Sequence, residues 1–209
     1  MFPLGSVSRR ISVVPFITVL IILICAGVFY LELTQGDRFI TRWAAVPSKV
    51  MDGRTVETLV TAAFLHGGWV HIIGNMIFLW AFAPAMEEAM GSLKFLIFYL
   101  LGAVAAGAAH IYGDPNSTIP MLGASGAVAA VMGAYLVTYP GDRIRTLILA
   151  PAPRVFDLPA IVLIGLWIVL QVVSVTTETR EANTGGVAYL AHIGGAVFGA
   201  VTGRLFIWR

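Results

Sequence analysis

Four polar residues stand inside apolar stretches of this chain: His71, Asn75, Ser125 and His192. A serine hydroxyl beside an imidazole that can take its proton is the pairing from which nucleophilic catalysis is built. The same residue types also serve blander ends. A serine between glycines in an apolar helix is most often there for packing, and a lone intramembrane histidine serves equally as a hydrogen-bonded packing residue or a proton relay. His71 and Asn75, in "HIIGN", lie at i and i+4, share one helix face and can act on one point. Whether the four belong together depends on the elements that carry them.

Hydrophobic residues make up 58% of the 209 positions and charged residues 11%. A soluble domain carries roughly a quarter charged residues, so most of this surface does not face water. Apolar runs of about 20 residues recur, the length that crosses a hydrocarbon core of about 30 Å. The pattern predicts helices near Val13–Leu33, Trp69–Met86, Leu93–Tyr112, Gly123–Tyr139, Leu158–Val175 and Val187–Trp208. The breaks "VPSKVMDGR", "GDPNSTIP", "PGDRIR" and "TTETREANTGG" are polar and rich in turn residues. The expectation is an all-α membrane protein: a short cytoplasmic segment over 1–12, then one six-helix transmembrane domain over 13–209.

Arg9 and Arg10 precede the first helix, as they would in a secretory signal peptide. The run that follows is long and lacks a clean small-x-small cleavage site, and Ile24 stands before Cys25 where a lipoprotein signal needs a small residue. A retained signal anchor fits better. Cys25 is the only cysteine, which excludes an internal disulfide and any cysteine-based zinc site. No carboxylate or cysteine cluster accompanies the histidines, so neither metal nor organic cofactor is expected. A formal charge of +2 and the lack of a basic, aromatic-laced run argue against a nucleic-acid partner.

Lysine and arginine placement orients the bundle. Arg9, Arg10, Lys94, Arg143, Arg145, Arg154, Arg204 and Arg209 fall on the amino-terminal side. Arg38, Arg42, Lys49, Arg54 and Arg180 fall opposite, diluted by Asp37, Asp52, Glu57, Asp114, Glu178 and Glu181. Both termini are expected in the cytoplasm of a bacterial-type plasma membrane.

Depth then groups the four residues. The second, fourth and sixth helices all run from outside to inside. Counted to the inner charges Glu87, Asp142 and Arg209, residues His71, Ser125 and His192 stand about 16–17 positions away, or about 24–26 Å. They share one layer just below the outer surface. Gly195, Gly199 and Gly203 form a stripe on the face of His192, and Ser125, Gly126, Ala129 and Gly133 offer a matching small surface. If those faces meet, His192 comes within hydrogen-bond reach of Ser125. Pro120 and Gly123 start the fourth helix just before Ser125, where backbone N–H groups lack intrahelical acceptors and favour negative charge. His66 and His110 read as structural, the tryptophans Trp69, Trp80, Trp167 and Trp208 as interface or packing residues, and Glu87 and Glu88 as a charged helix end.

With "FLHGGWVHIIGNM", "MEEAMGSLKFLIFYLLGA", "GASGAVAAVMGAY" and "AHIGGAVFGAVTG" in this order and spacing, the chain resembles the rhomboid family of intramembrane serine proteases from about Val46 onward. The resemblance implies a six-helix bundle that cleaves membrane-anchored substrates in or near their transmembrane segments. It implies Ser125 as nucleophile, His192 as general base, and His71 and Asn75 as side-chain oxyanion donors beside the Ser125 backbone N–H. Family members often carry a Trp-Arg pair in the first loop, where this chain reads "RTVETLV". The alternatives are a non-catalytic rhomboid-like protein that binds transmembrane clients and a small proton-coupled transporter. Transporters often pair interrupted helices in two halves of the chain, a symmetry not found here.

Overall fold

The computed structural model describes residues 1–9, 11–149, 151–178 and 189–207, with the backbone alone over 174–178. Arg10, Arg180, Glu181, Arg209 and both predicted ends of the last helix, Val187 and Trp208, lie outside the described residues. In chain order the elements are β1 (Phe2–Ser6), α1 (Phe16–Gln35), α2 (Asp37–Trp43), α3 (Pro47–Met51), α4 (Thr58–Thr61), a 3₁₀ turn (Ala62–Phe64), α5 (Trp69–Met90), α6 (Ser92–Gly113), α7 (Ser125–Thr138), β2 (Arg143–Ile148), β3 (Arg154–Pro159), α8 (Ala160–Glu178) and α9 (Tyr189–Phe206).

Helices α1, α5 and α6 are each long and apolar enough to cross a membrane, and α7 and the Ala160–Val173 part of α8 are shorter apolar helices. Large apolar side chains point outward along the molecule, among them Leu23 and Tyr30 on α1, Val169 and Leu170 on α8, and Val201 and Leu205 on α9. Outward apolar faces of this extent suit lipid rather than water.

The structure corrects the all-α expectation. β1, β2 and β3 form a small antiparallel sheet in that order, with Phe2 opposite Leu147 and Ile144 opposite Leu158. "RIRTLI" alternates outward Arg143 and Arg145 with buried Ile144 and Thr146, the period of a half-buried strand. That alternation spans few residues in a charged break and reads as a turn. The segment 2–6, within the expected short cytoplasmic segment over 1–12, is one edge strand of this sheet.

A second correction concerns Glu87. Read as part of a charged helix end, it is 1% exposed and turned inward. α1 begins after Pro15, which offers no side-chain cap. Glu87 supplies one from α5: it accepts from the Ile17 and Thr18 backbone N–H groups and the Thr18 hydroxyl, each at 2.8 Å, and from the Ser92 hydroxyl at 2.7 Å. A carboxylate there satisfies orphan donors and faces the positive end of the helix dipole. α5 runs on past Met86 to Met90 and turns into α6 at Gly91.

α7 lies at the centre, packed on α5, α6 and α9, and Gly126–Tyr135 are buried without a break. Its contact with α9 is backbone against backbone. An added methyl group on Gly195 would strike the Gly126 carbonyl, one on Gly199 the Ala130 carbonyl, and one on Gly133 the Ala196 carbonyl. The approach to α7 is held from the other side. Ala45 and Met121 exchange backbone hydrogen bonds of 3.0 and 2.7 Å, and the Gly123 N–H donates to the Ala62 carbonyl at 2.8 Å. The region between α1 and α5 is therefore a folded support of short helices for the entry to α7.

Candidate functional site

Ser125 is the first helical residue of α7, so its side chain and the neighbouring N–H groups open at the same end. Gly123, two residues earlier, has φ +126°, a conformation that L side chains rarely adopt. It turns the chain into α7 and leaves room for His71. A methyl group on Gly123 would lie 2.8 Å from both Cε1 and Nε2 of His71 and 3.6 Å from the Ser125 hydroxyl. The His71 imidazole and the Ser125 hydroxyl thus flank one small space.

His192, one turn into α9, is 6% exposed, and its Nε2 stands 2.7 Å from Ser125 Oγ. The close α7–α9 seam makes this reach possible: Gly126, Gly195 and Gly199 remove the side chains that would hold the helices apart. On its other edge, His192 Nδ1 stands 2.6 Å from Gln171 Oε1 of α8. An amide oxygen only accepts, so this contact suits the tautomer that carries its proton on Nδ1 and leaves the Nε2 lone pair for the serine hydroxyl. Trp167, one turn before Gln171, places its ring 5.4 Å from the imidazole, and Tyr189 meets it edge-on at 6.3 Å.

His71 is held in the opposite tautomer. The Gly67 backbone N–H donates to His71 Nδ1 at 3.3 Å, which leaves the proton on Nε2, the nitrogen turned toward Gly123. Asn75, one turn further along α5, is buried, and its amide nitrogen has no hydrogen-bond partner among the described residues. His66 is buried, its ring nitrogens have no hydrogen-bond partner among the described residues, and its ring lies 5.3 Å from that of His71. Its backbone N–H donates to the Glu32 carboxylate at 2.9 Å, so the turn before α5 is tied to α1.

The serine hydroxyl therefore lies against the His192 imidazole, while the His71 ring and the first turn of α7 border the small space beside it. No group of three or more metal-ligating side chains occurs among the described residues. Two open clefts of about 460 and 480 Å³ lie toward the far end of α7, along β1 and the turn before β2, and contain none of these residues.

Gln171 and the contact of Trp167 with His192 were not anticipated from the sequence. The signal was present: in Ala160–Val173 the only polar side chain besides the Trp167 indole is Gln171, and such a group in an apolar helix calls for a partner.

Residues 53–209 match the family model of the Rhomboid domain. The Rhomboid protease GlpG of Yersinia pestis (strain Pestoides F) is 29% identical over 128 residues, which cover 61% of this chain and 44% of that protein. The mitochondrial Rhomboid protein 1 of Saccharomyces cerevisiae is 26% identical over 177 residues, covering 82% of this chain and 47% of that protein. The chain spans about half the length of the curated relatives it matches.

Proposed function

The chain belongs to the rhomboid family, and from that premise we propose that it is an intramembrane serine endopeptidase acting on membrane-anchored proteins. The observation that carries this reading is the 2.7 Å contact between Ser125 Oγ and His192 Nε2, in a ring whose other nitrogen stands 2.6 Å from an amide oxygen.

A substrate transmembrane segment enters from the lipid and unwinds near the outer face, exposing an amide to the Ser125 layer. The Ser125 hydroxyl attacks the carbonyl carbon while His192 Nε2 takes the hydroxyl proton. The carbonyl oxygen becomes an oxyanion, which accepts from His71 Nε2–H, the Asn75 amide and the backbone N–H of Ser125. Losing one such donor typically costs about 10²–10³ in rate. His192 then protonates the leaving amine, and the C–N bond breaks to give the acyl-enzyme. Water, deprotonated by His192, hydrolyses that ester and returns Ser125 to its starting state.

The membrane arrangement completes the proposal. α7, α8 and α9 cross with α1, α5 and α6 as one six-helix domain over 13–209, after a cytoplasmic segment over 1–12. α7 has 14 residues and a length of about 21 Å. A helix that short fits the middle of the bundle, where its amino end opens below the membrane surface and water can reach it. Both termini face the cytoplasm of a bacterial-type plasma membrane.

The test is cleavage of a single-pass transmembrane protein co-reconstituted in liposomes. The wild type cuts it in or near the membrane, and Ser125→Ala and His192→Ala leave it whole. An uncut substrate that binds wild type and variants alike would favour a client-binding protein with the same fold.

A further inference from the structure

Gln171 faces the catalytic pair from a helix that otherwise presents apolar side chains. The inward stripe of α8 runs Ala160, Leu163, Ile164, Trp167, Ile168 and Gln171, while Ile161, Val162, Leu166, Val169, Leu170, Val172 and Val173 point outward. That spacing of three and four residues is one helix face. Its last member ends 2.6 Å from His192 Nδ1.

We propose that Gln171 is a positioning residue that fixes His192 in the Nδ1–H tautomer, so that Nε2 is free to accept the Ser125 proton. The inference deepens the protease reading and rests on it. The alternative tautomer would carry its proton on Nε2, facing the serine hydroxyl, and could not serve as base. In Ser-His-Asp triads a buried carboxylate makes this choice and also stabilises the imidazolium. Gln171 makes the choice with a neutral oxygen. The trade is sensible at membrane depth, where an ionised carboxylate beside a neutral imidazole would be an unpaired buried charge for most of the cycle. Trp167 limits the motion of the ring from the same helix face. The competing reading is an ordinary interhelical hydrogen bond between α8 and α9 that merely holds the helices together. The two differ in what they predict for the imidazole itself.

The experiment uses the full chain in detergent micelles, labelled with ¹⁵N-histidine, with the His192 signals identified by their loss in His192→Ala. Wild type, Gln171→Leu and Gln171→Met are compared by ¹⁵N chemical shift, by the rate of acylation with a fluorophosphonate, and by thermal midpoint. Met keeps the side-chain length, so it carries the test if Leu impairs folding. The expected result is a dominant Nδ1–H tautomer in wild type and a mixture in the variants. Acylation should slow by about 10- to 100-fold in variants that remain folded. A His192 tautomer unchanged in folded variants, or acylation at the wild-type rate, would overturn the assignment. If wild type failed to acylate while the tautomer still shifted in the variants, the protease reading would fall and the hold of Gln171 on His192 would stand.

Discussion

The His71 imidazole lies so close to the Cα of Gly123 that a side-chain methyl there would come within 2.8 Å of its Cε1 and Nε2. The same glycine has φ +126° and leads into Ser125 two residues on. Space and backbone conformation at one position both serve the donor side of the site.

Gly123→Ala should therefore damage activity more than folding. The strained backbone costs about 1–3 kcal/mol, while displacing His71 removes the oxyanion donor that the proposed mechanism assigns to it, a loss of about 10²–10³ in rate. Cleavage rates and unfolding midpoints measured on the same preparation check this. A variant with normal turnover would separate His71 from the reaction.

The α7–α9 seam predicts a contrast between two glycines. A methyl group on Gly199 would meet the carbonyl oxygen, carbonyl carbon and Cα of Ala130, whereas one on Gly165 of α8 would meet nothing within 4 Å. Gly199→Ala should lower stability by about 1–3 kcal/mol through overpacking. Gly165→Ala should be neutral or raise it by up to about 1 kcal/mol, the helix-propensity difference. Unfolding titrations in mixed micelles compare the two.

Glu87 joins α5 to the start of α1 through three hydrogen bonds and accepts a fourth from Ser92 at the start of α6. Its replacement by alanine strands buried N–H groups at a helix end, so Glu87→Ala should cost about 2–3 kcal/mol. Glu87→Gln, which keeps one acceptor oxygen, should cost less. Activity per folded molecule should stay near wild type in both, because the residue lies far from Ser125 along the bundle.

Asp142 makes acid stability testable in the turn before β2. Burial pushes its carboxyl pKa up, but hydrogen bonds from Tyr135, Ser6, Ser8 and the Arg143 N–H together outweigh burial and hold it below the ordinary aspartate value. A carboxyl lowered in the folded state stabilises above its unfolded pKa of about 3.9, and that contribution is lost as pH falls through the folded value. The stability gap between wild type and Asp142→Asn should be constant from pH 7 to about pH 5 and close below about pH 4. A gap that does not narrow on acidification would assign the effect to packing.

Much of the fold was legible because its signals are long. The apolar runs of α1, α5 and α6 exceed twenty positions or reach them, and boundary errors of a few residues leave them intact. Gly195 and Gly199 were legible for another reason: small residues at helical spacing beside a polar one leave few uses except close approach. The strands were not. β1 has five residues and β2 and β3 six each; β2 and β3 pair as a short local hairpin, but β1 joins them only across the chain, with Phe2 opposite Leu147. Glu87 was misread because a carboxylate near a helix end looks the same whether it meets water or caps another helix. Gln171 was passed over because a single amide shows no spacing pattern, and only the fold brings α8 against His192.

The central claim is that Ser125 is a nucleophile activated by His192. Its most direct measurement is reaction of the full chain with a fluorophosphonate, followed by peptide mass spectrometry to locate the adduct. One adduct is expected, on Ser125, absent in Ser125→Ala and reduced by at least about 10²-fold in His192→Ala. Labelling elsewhere, or labelling of Ser125 at the same rate without His192, would contradict it.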